Sequence, residues 1–202
     1  MSGCPHGSGW ILVSIGLAAC GGPDDSLPAV HDHVTRLGDL RFGMLPAQLE
    51  AFRPDGAYDD QGIYREGLDQ FTVASYGFLP WVEGQPPSGR ARLAGVEIRE
   101  EVSDTAGLRG LWMDAFDRTS AHASSNPLCW SHRAYRLRRW TAAFAGTIYV
   151  TLEAEAVETG DGREHDAYLA IRLETPEMAA LSAHRARGEE RGEPVTCPGE
   201  FP

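Results

Sequence analysis

The chain has 202 residues, with 29 Asp and Glu against 18 basic residues, all of them Arg, and a formal net charge of -11. A hydrophobic fraction of 42% with five Trp can fill the core of one ordinary domain, which excludes global disorder. The acidic balance argues against nucleic acid as a partner, and the lack of Lys removes Schiff-base and P-loop lysine chemistry.

From Trp10 to Ala19 runs an apolar stretch, WILVSIGLAA, too short for a comfortable membrane span, which needs roughly 20 apolar residues. Its length suits the apolar region of a signal peptide, and small residues follow where a peptidase must approach the backbone. Leu17-Ala18-Ala19-Cys20 resembles the lipobox of bacterial lipoproteins. The resemblance implies residues 1–19 as a signal peptide cut before Cys20, and acylation of that cysteine. Residues 20–36 then read as a flexible tether opening on Gly21-Gly22-Pro23-Asp24-Asp25-Ser26, and 37–202 as a single globular domain. The first nine residues carry no Arg, a departure from the basic start of such signals. By the same resemblance, Gly21, in place of an Asp after the cysteine, implies an outer-membrane location facing the periplasm. The competing reading is a cytosolic protein with a buried apolar N-terminal segment.

Pro46 opens a helix to Phe52 at the position where its missing N–H does no harm, with Leu45, Leu49 and Phe52 on one stripe. Strands follow around Gly62 to Glu66, Gln70 to Phe78 and Leu93 to Val102, the last with Val96, Ile98 and Val102 on one face and Glu97, Arg99 and Glu101 on the other. Ser103, Asp104 and Thr105 offer caps for a helix to about Thr119, with Leu108, Leu111, Trp112, Ala115 and Phe116 as its apolar face. A strand is expected over Arg133 to Trp140, with Tyr135 and Leu137 opposite Arg136 and Arg138. Another is expected over Thr147 to Ala156, joined through the turn Thr159-Gly160-Asp161-Gly162 to Ala167–Glu174. Thr175-Pro176-Glu177 starts a last helix. The order helix–strand–strand–strand thus appears twice, and one-sided strands on short connections predict an α+β domain, an antiparallel sheet with helices on one face.

Removal of the leader takes Cys4, and acylation consumes Cys20, leaving Cys129 and Cys197 as an even pair in an oxidising compartment. A disulfide is the expected outcome; two free buried thiols, a metal pair with His122 or His132, or a catalytic thiol beside His132 are the alternatives. The segment Phe42-Gly43-Met44-Leu45-Pro46-Ala47-Gln48-Leu49 resembles the opening of small α+β lipoproteins of the SmpA/OmlA assembly type and of β-lactamase-inhibitor-like domains. That resemblance implies a binding role, with Leu45 in place of the usual Ser or Thr cap.

No nucleophile elbow, zinc-protease helix or phosphate loop is present, and no cofactor or metal site is expected. His31-Asp32-His33 could donate two imidazoles, but falls in the expected tether, where nothing would fix ligand geometry. Asp55, Asp59 and Glu66 occupy positions of a calcium-loop frame that Ala57 and Asp60 break, so they read as an acidic turn. Arg136 and Arg138, in the one basic concentration of the chain, are candidate anion grips; the plainer reading is the solvated face of a strand neutralised by Glu153 and Glu155. Those two acids could also be cast as a glycosidase pair, with no cleft evident. Tyr76, Phe78 and Trp81 are candidate interface anchors, or else simply close the end of the sheet. The functional expectation is a lipid-anchored envelope protein, attached to the membrane through its N-terminal lipid, that binds an envelope partner without catalysis. The alternative is an envelope hydrolase using a histidine such as His132 or His165 with a carboxylate.

Overall fold

Alternating apolar side chains make sheet the dominant element. The strands are β1 (Ala57–Tyr58), β2 (Tyr64–Gly67), β3 (Thr72–Leu79), β4 (Arg92–Val102), β5 (Leu128–Ala134), β6 (Leu137–Phe144), β7 (Tyr149–Glu158), β8 (Glu164–Glu174) and β9 (Glu193–Val195). The computed structural model, which describes residues 27–82, 84–134, 137–158, 164–185 and 192–197, joins them in one antiparallel sheet of order β1-β2-β3-β4-β8-β7-β6-β5-β9. Two four-stranded meanders meet along β4 and β8, where Val96 lies opposite Leu173 and Ile98 opposite Ile171. Helices α1 (Asp32–Arg36) and α2 (Pro46–Phe52) precede the first meander and α3 (Thr105–His122) the second; α4 (Pro176–Arg185) follows β8.

The α+β class is as expected, and each half carries a four-stranded meander rather than three strands, with β9 added beside β5 in the second. In the second half the difference arises because the segment read as one strand, Arg133 to Trp140, holds a chain reversal: Ala134 lies opposite Leu137 and Arg133 opposite Arg138. Charged and aromatic residues alternate across that reversal, so periodicity alone cannot reveal it.

One face of the sheet is covered by α1, α2 and α3. Leu108, Trp112, Ala115 and Phe116 of α3 are buried with Leu152, Ala154, Leu169 and Ile171 of the sheet, and Phe116 meets Phe144 edge-on at 5.3 Å between centroids. Full burial of a side chain such as Leu108 contributes about 1.5–3 kcal/mol. Asp104 caps α3 by accepting from the Gly107 N–H at 2.6 Å. At α2, where Leu45 has no capping side chain, its N–H instead donates to Gln48 Oε1 at 2.7 Å, which recovers half of a capping box.

The expected tether ends earlier than residue 36. From Leu27 the chain is folded, and α1 buries Val34, with Val30 just before it, in the core beside Leu37 and Leu40. The apolar i, i+4 pair Val30 and Val34 inside a polar stretch supplies the reason. Cys20 and the other residues up to Ser26 lie outside the described residues.

Candidate functional site

The uncovered face of the sheet carries the side chains that the strand pattern assigns to solvent. They are not solvated singly but paired across strands. Arg139 on β6 binds Glu155 on β7, with Nη2 to Oε2 at 2.7 Å. Arg172 on β8 donates from Nε to Glu97 on β4, and its Nη2 stands 3.7 Å from Glu153 Oε1 on β7. The Arg99 guanidinium lies 3.7 Å from the centroid of the Tyr168 ring, and the Tyr168 hydroxyl donates to Glu153 Oε1 at 3.4 Å. Cation, anion and ring alternate across four adjacent strands, so each charge has a neighbour of opposite sign.

Over one end of this face passes α4. Gly77 on β3 and Gly95 on β4 lie opposite each other, and the space their missing side chains leave is filled by Met178. A Cβ at Gly77 would stand 3.0 Å from Met178 Cε, and one at Gly95 3.2 Å from Met178 Cγ. Ser182 fastens the next turn by donating from Oγ to Glu174 Oε1 at 2.5 Å. Beside α4 the face opens into a groove of about 730 Å³, within the range of roughly 300–1,000 Å³ common to ligand sites. Glu97, Glu153 and Arg172 form part of its floor, while Trp81, Trp130 and Tyr149 contribute aromatic surface. Tyr149 is 38% exposed. A second recess, beside β9 and the loop before β5, is lined among the described residues by no ionisable side chain.

Two of the expected interface anchors are instead core residues. Tyr76 and Phe78 are 0% and 2% exposed, because β3 sends them into the apolar cluster. The Tyr76 hydroxyl donates to Glu66 Oε1, which also accepts from Arg53 Nε at 2.7 Å. Burial, reinforced by Glu66, raises the Tyr76 phenol above its ordinary value. Glu66 is therefore part of a buried polar triad, and Asp59 caps its own turn, accepting from the N–H groups of Gln61 and Ile63 at 2.9 Å each. Trp81 is half-buried at the groove, as the loop reading allows. Arg138 is half-buried on β6 opposite Ala156, on the covered face and away from the groove. Arg136 lies outside the described residues. Glu153 and Glu155 share the open face, and the cleft missing from the sequence pattern is there, but both are engaged by arginines.

Cys129 and Cys197 are disulfide-bonded, with Cα atoms 5.6 Å apart. The bond holds β9 at the sheet edge, where Val195 lies opposite Cys129.

His132 is half-exposed on β5, and the side chain of His165 lies outside the described residues; among the described residues two other histidines meet carboxylates. They are His31 and His33, 4% and 8% exposed, whose Nε2 atoms each stand 3.6 Å from Glu100 Oε2. His33 Nε2 also lies 3.9 Å from Asp69 Oδ2 and 3.5 Å from Thr72 Oγ1. The His33 N–H donates to His31 Nδ1 at 3.3 Å, so the neutral His31 ring carries its proton on Nε2, directed at Glu100. Burial, then the proximity of His33, lowers the His31 pKa from 6.5 to about 4, and burial raises the Glu100 carboxyl. The 3.6 Å separations exceed a hydrogen bond, and no His, Cys, Asp and Glu group among the described residues has an arrangement that could hold a metal ion. Glu100 lies on the face of β4 that carries Val96 and Ile98, so a pattern that gives the charges to the Glu97, Arg99 and Glu101 face does not bring it toward His31 and His33.

The protein is thus a small α+β domain with buried His–carboxylate pairs. No helix among the described residues is long and apolar enough to cross a membrane. No family model matches the chain, and no significant match is found among curated proteins or solved structures.

Proposed function

We propose that this is a lipid-anchored protein of the cell envelope that captures a partner on the open face of its sheet. The observation that carries the reading is the groove itself. It combines half-exposed aromatic surface with an ordered charged floor, on the face that α1, α2 and α3 leave uncovered. The lipobox-like Leu17–Cys20 supports the anchor, and the likeness of residues 42–49 to assembly lipoproteins and inhibitor-like domains supports a binding role. Affinity capture from an envelope extract with the full chain tests it: Trp81→Ala loses the partner while the melting temperature stays nearly unchanged. Equal capture by both forms contradicts it. Intact-mass measurement of the native protein tests the anchor, with a diacylated or triacylated Cys20 at the N-terminus as the expected product.

A second reading, an envelope hydrolase working through a histidine–carboxylate pair, is favoured by one specific observation. His31 and His33 flank Glu100 at 3.6 Å, with the imidazole proton directed at the carboxylate. A histidine beside a carboxylate supplies groups of the kind used in general acid–base work. Substrate would reach it only if α1 lifts, because both rings are buried. Screening chromogenic ester, phosphoester and glycoside substrates decides it: turnover abolished by His33→Gln in a folded protein establishes the pair as catalytic, and turnover that survives the change removes it.

A further inference from the structure

We propose that the groove binds a neutral saccharide chain. This inference rests on the partner-binding reading above and narrows it to a ligand class.

Charge comes first. Arg172 is held by Glu97 and Glu153, Arg139 by Glu155, and Arg65 by Asp59 Oδ2 at 3.0 Å. An anion entering the groove would have to compete with a carboxylate already seated on each of these guanidinium groups, and a cation would meet carboxylates already neutralised. Local pairing thus leaves these side chains poorly suited to gripping a small ion directly, and the net charge of -11 further disfavours an anion.

Hydrogen-bonding capacity comes second. The floor belongs to strands inside the sheet, whose backbone groups are committed to ladders on both sides, so an extended peptide cannot add itself as a further strand there. Recognition falls to side chains. A guanidinium has five N–H donors and a carboxylate about four acceptor sites, so a paired Arg and Glu keep capacity for additional hydroxyl groups. Thr141 and Thr151 add hydroxyls beside them. A lipid tail laid on this floor would strip water from charges and return no hydrogen bonds.

Shape comes third. Tyr149, Trp130 and Trp81 line the groove, and aromatic side chains supply apolar surface on which the C–H face of a sugar can pack, leaving its hydroxyl edge toward the polar floor. Neutral, rich in hydroxyls and apolar on one face describes a saccharide.

The test is titration calorimetry of the full chain in detergent with chitohexaose, cellohexaose and maltohexaose, and with a heparin hexasaccharide as the anionic comparison. At least one neutral hexasaccharide is expected to bind with Kd between about 10 µM and 1 mM, and Tyr149→Ala to weaken it about tenfold at unchanged circular dichroism. Thr151→Arg, which crowds the floor without entering the covered core, is expected to abolish binding. Failure of all three neutral probes, or preference for heparin, overturns the assignment. If a protein is captured in a Tyr149-dependent way while the saccharides fail, the ligand class is wrong and the partner-binding reading stands. If neither saccharide nor partner binding depends on Tyr149, both fall.

Discussion

Tyr76 on β3 donates its hydroxyl hydrogen to Glu66 on β2, and both side chains are buried on the covered side of the sheet. Arg53, just past α2, supplies the balancing cation. The three groups join a helix end to two strands, and removing one leaves the others unsatisfied in a dry place. Glu66→Ala is expected to cost about 2–3 kcal/mol, since it removes the acceptor of both the phenol and the partly exposed Arg53, and Tyr76→Phe about 1–2 kcal/mol, since it removes one donor. Urea unfolding midpoints check the order. A Tyr76→Phe change as costly as Glu66→Ala would mean that the phenol, not the ion pair, holds the triad together.

The His31 cluster makes stability depend on pH. His31 has a folded pKa of about 4 against 6.5 unfolded, so between these values the unfolded chain binds the extra proton and stability falls as pH falls from 6.5 toward 4. Glu100, raised by burial, acts in the opposite sense: its contribution is present in acid and lost as pH rises through its folded value. The groups facing His31 are His33 and Asp32 beside it, Glu100 on β4, and Arg118 and Asp114 on α3. His31→Asn keeps a helix-cap acceptor and removes the titrating ring. Relative to this variant, the native protein is expected to lose on the order of 1–2 kcal/mol between pH 6.5 and 4.5. Parallel stability curves for the two would place the acid sensitivity elsewhere.

The disulfide links positions 68 residues apart in sequence. Closing a loop of that size removes conformational freedom from the unfolded chain, about 4 kcal/mol in the chain-entropy account. Cys129→Ser with Cys197→Ser is expected to lower stability by roughly that amount and to raise hydrogen exchange at Glu193–Val195, since β9 pairs only through Cys129, Trp130 and Ser131. Unfolding curves that do not change on adding reductant would show that the bond contributes nothing.

Patterns that repeat at a fixed period were legible in the sequence. Val150, Leu152 and Ala154 on β7 and Leu169, Ile171 and Leu173 on β8 point inward as alternation requires, and Leu108, Trp112, Ala115 and Phe116 of the α3 stripe are buried as their spacing requires, with Leu111 partly so. Pairings between distant segments were not. Tyr168 and Ala170, on the opposite side of β8, are also buried, because the charge ladder and its neighbours cover a face that polarity alone assigns to water. Tyr76 read as an anchor because an aromatic near a Pro-rich loop carries no sign of the Glu66 that receives its hydroxyl. The groove was hidden for the same reason. Its wall depends on Met178 meeting Gly77 and Gly95, a contact between segments far apart in the sequence that no local window contains.

The central claim, that the open sheet face is occupied in the envelope, is tested most directly by hydroxyl-radical footprinting of the protein in native membranes and after purification in detergent. Trp81 and Tyr149 are expected to label more slowly in the membranes, while exposed residues on the far side of the molecule, such as Phe52, label equally in both. Equal labelling of the groove residues in the two preparations would contradict the account.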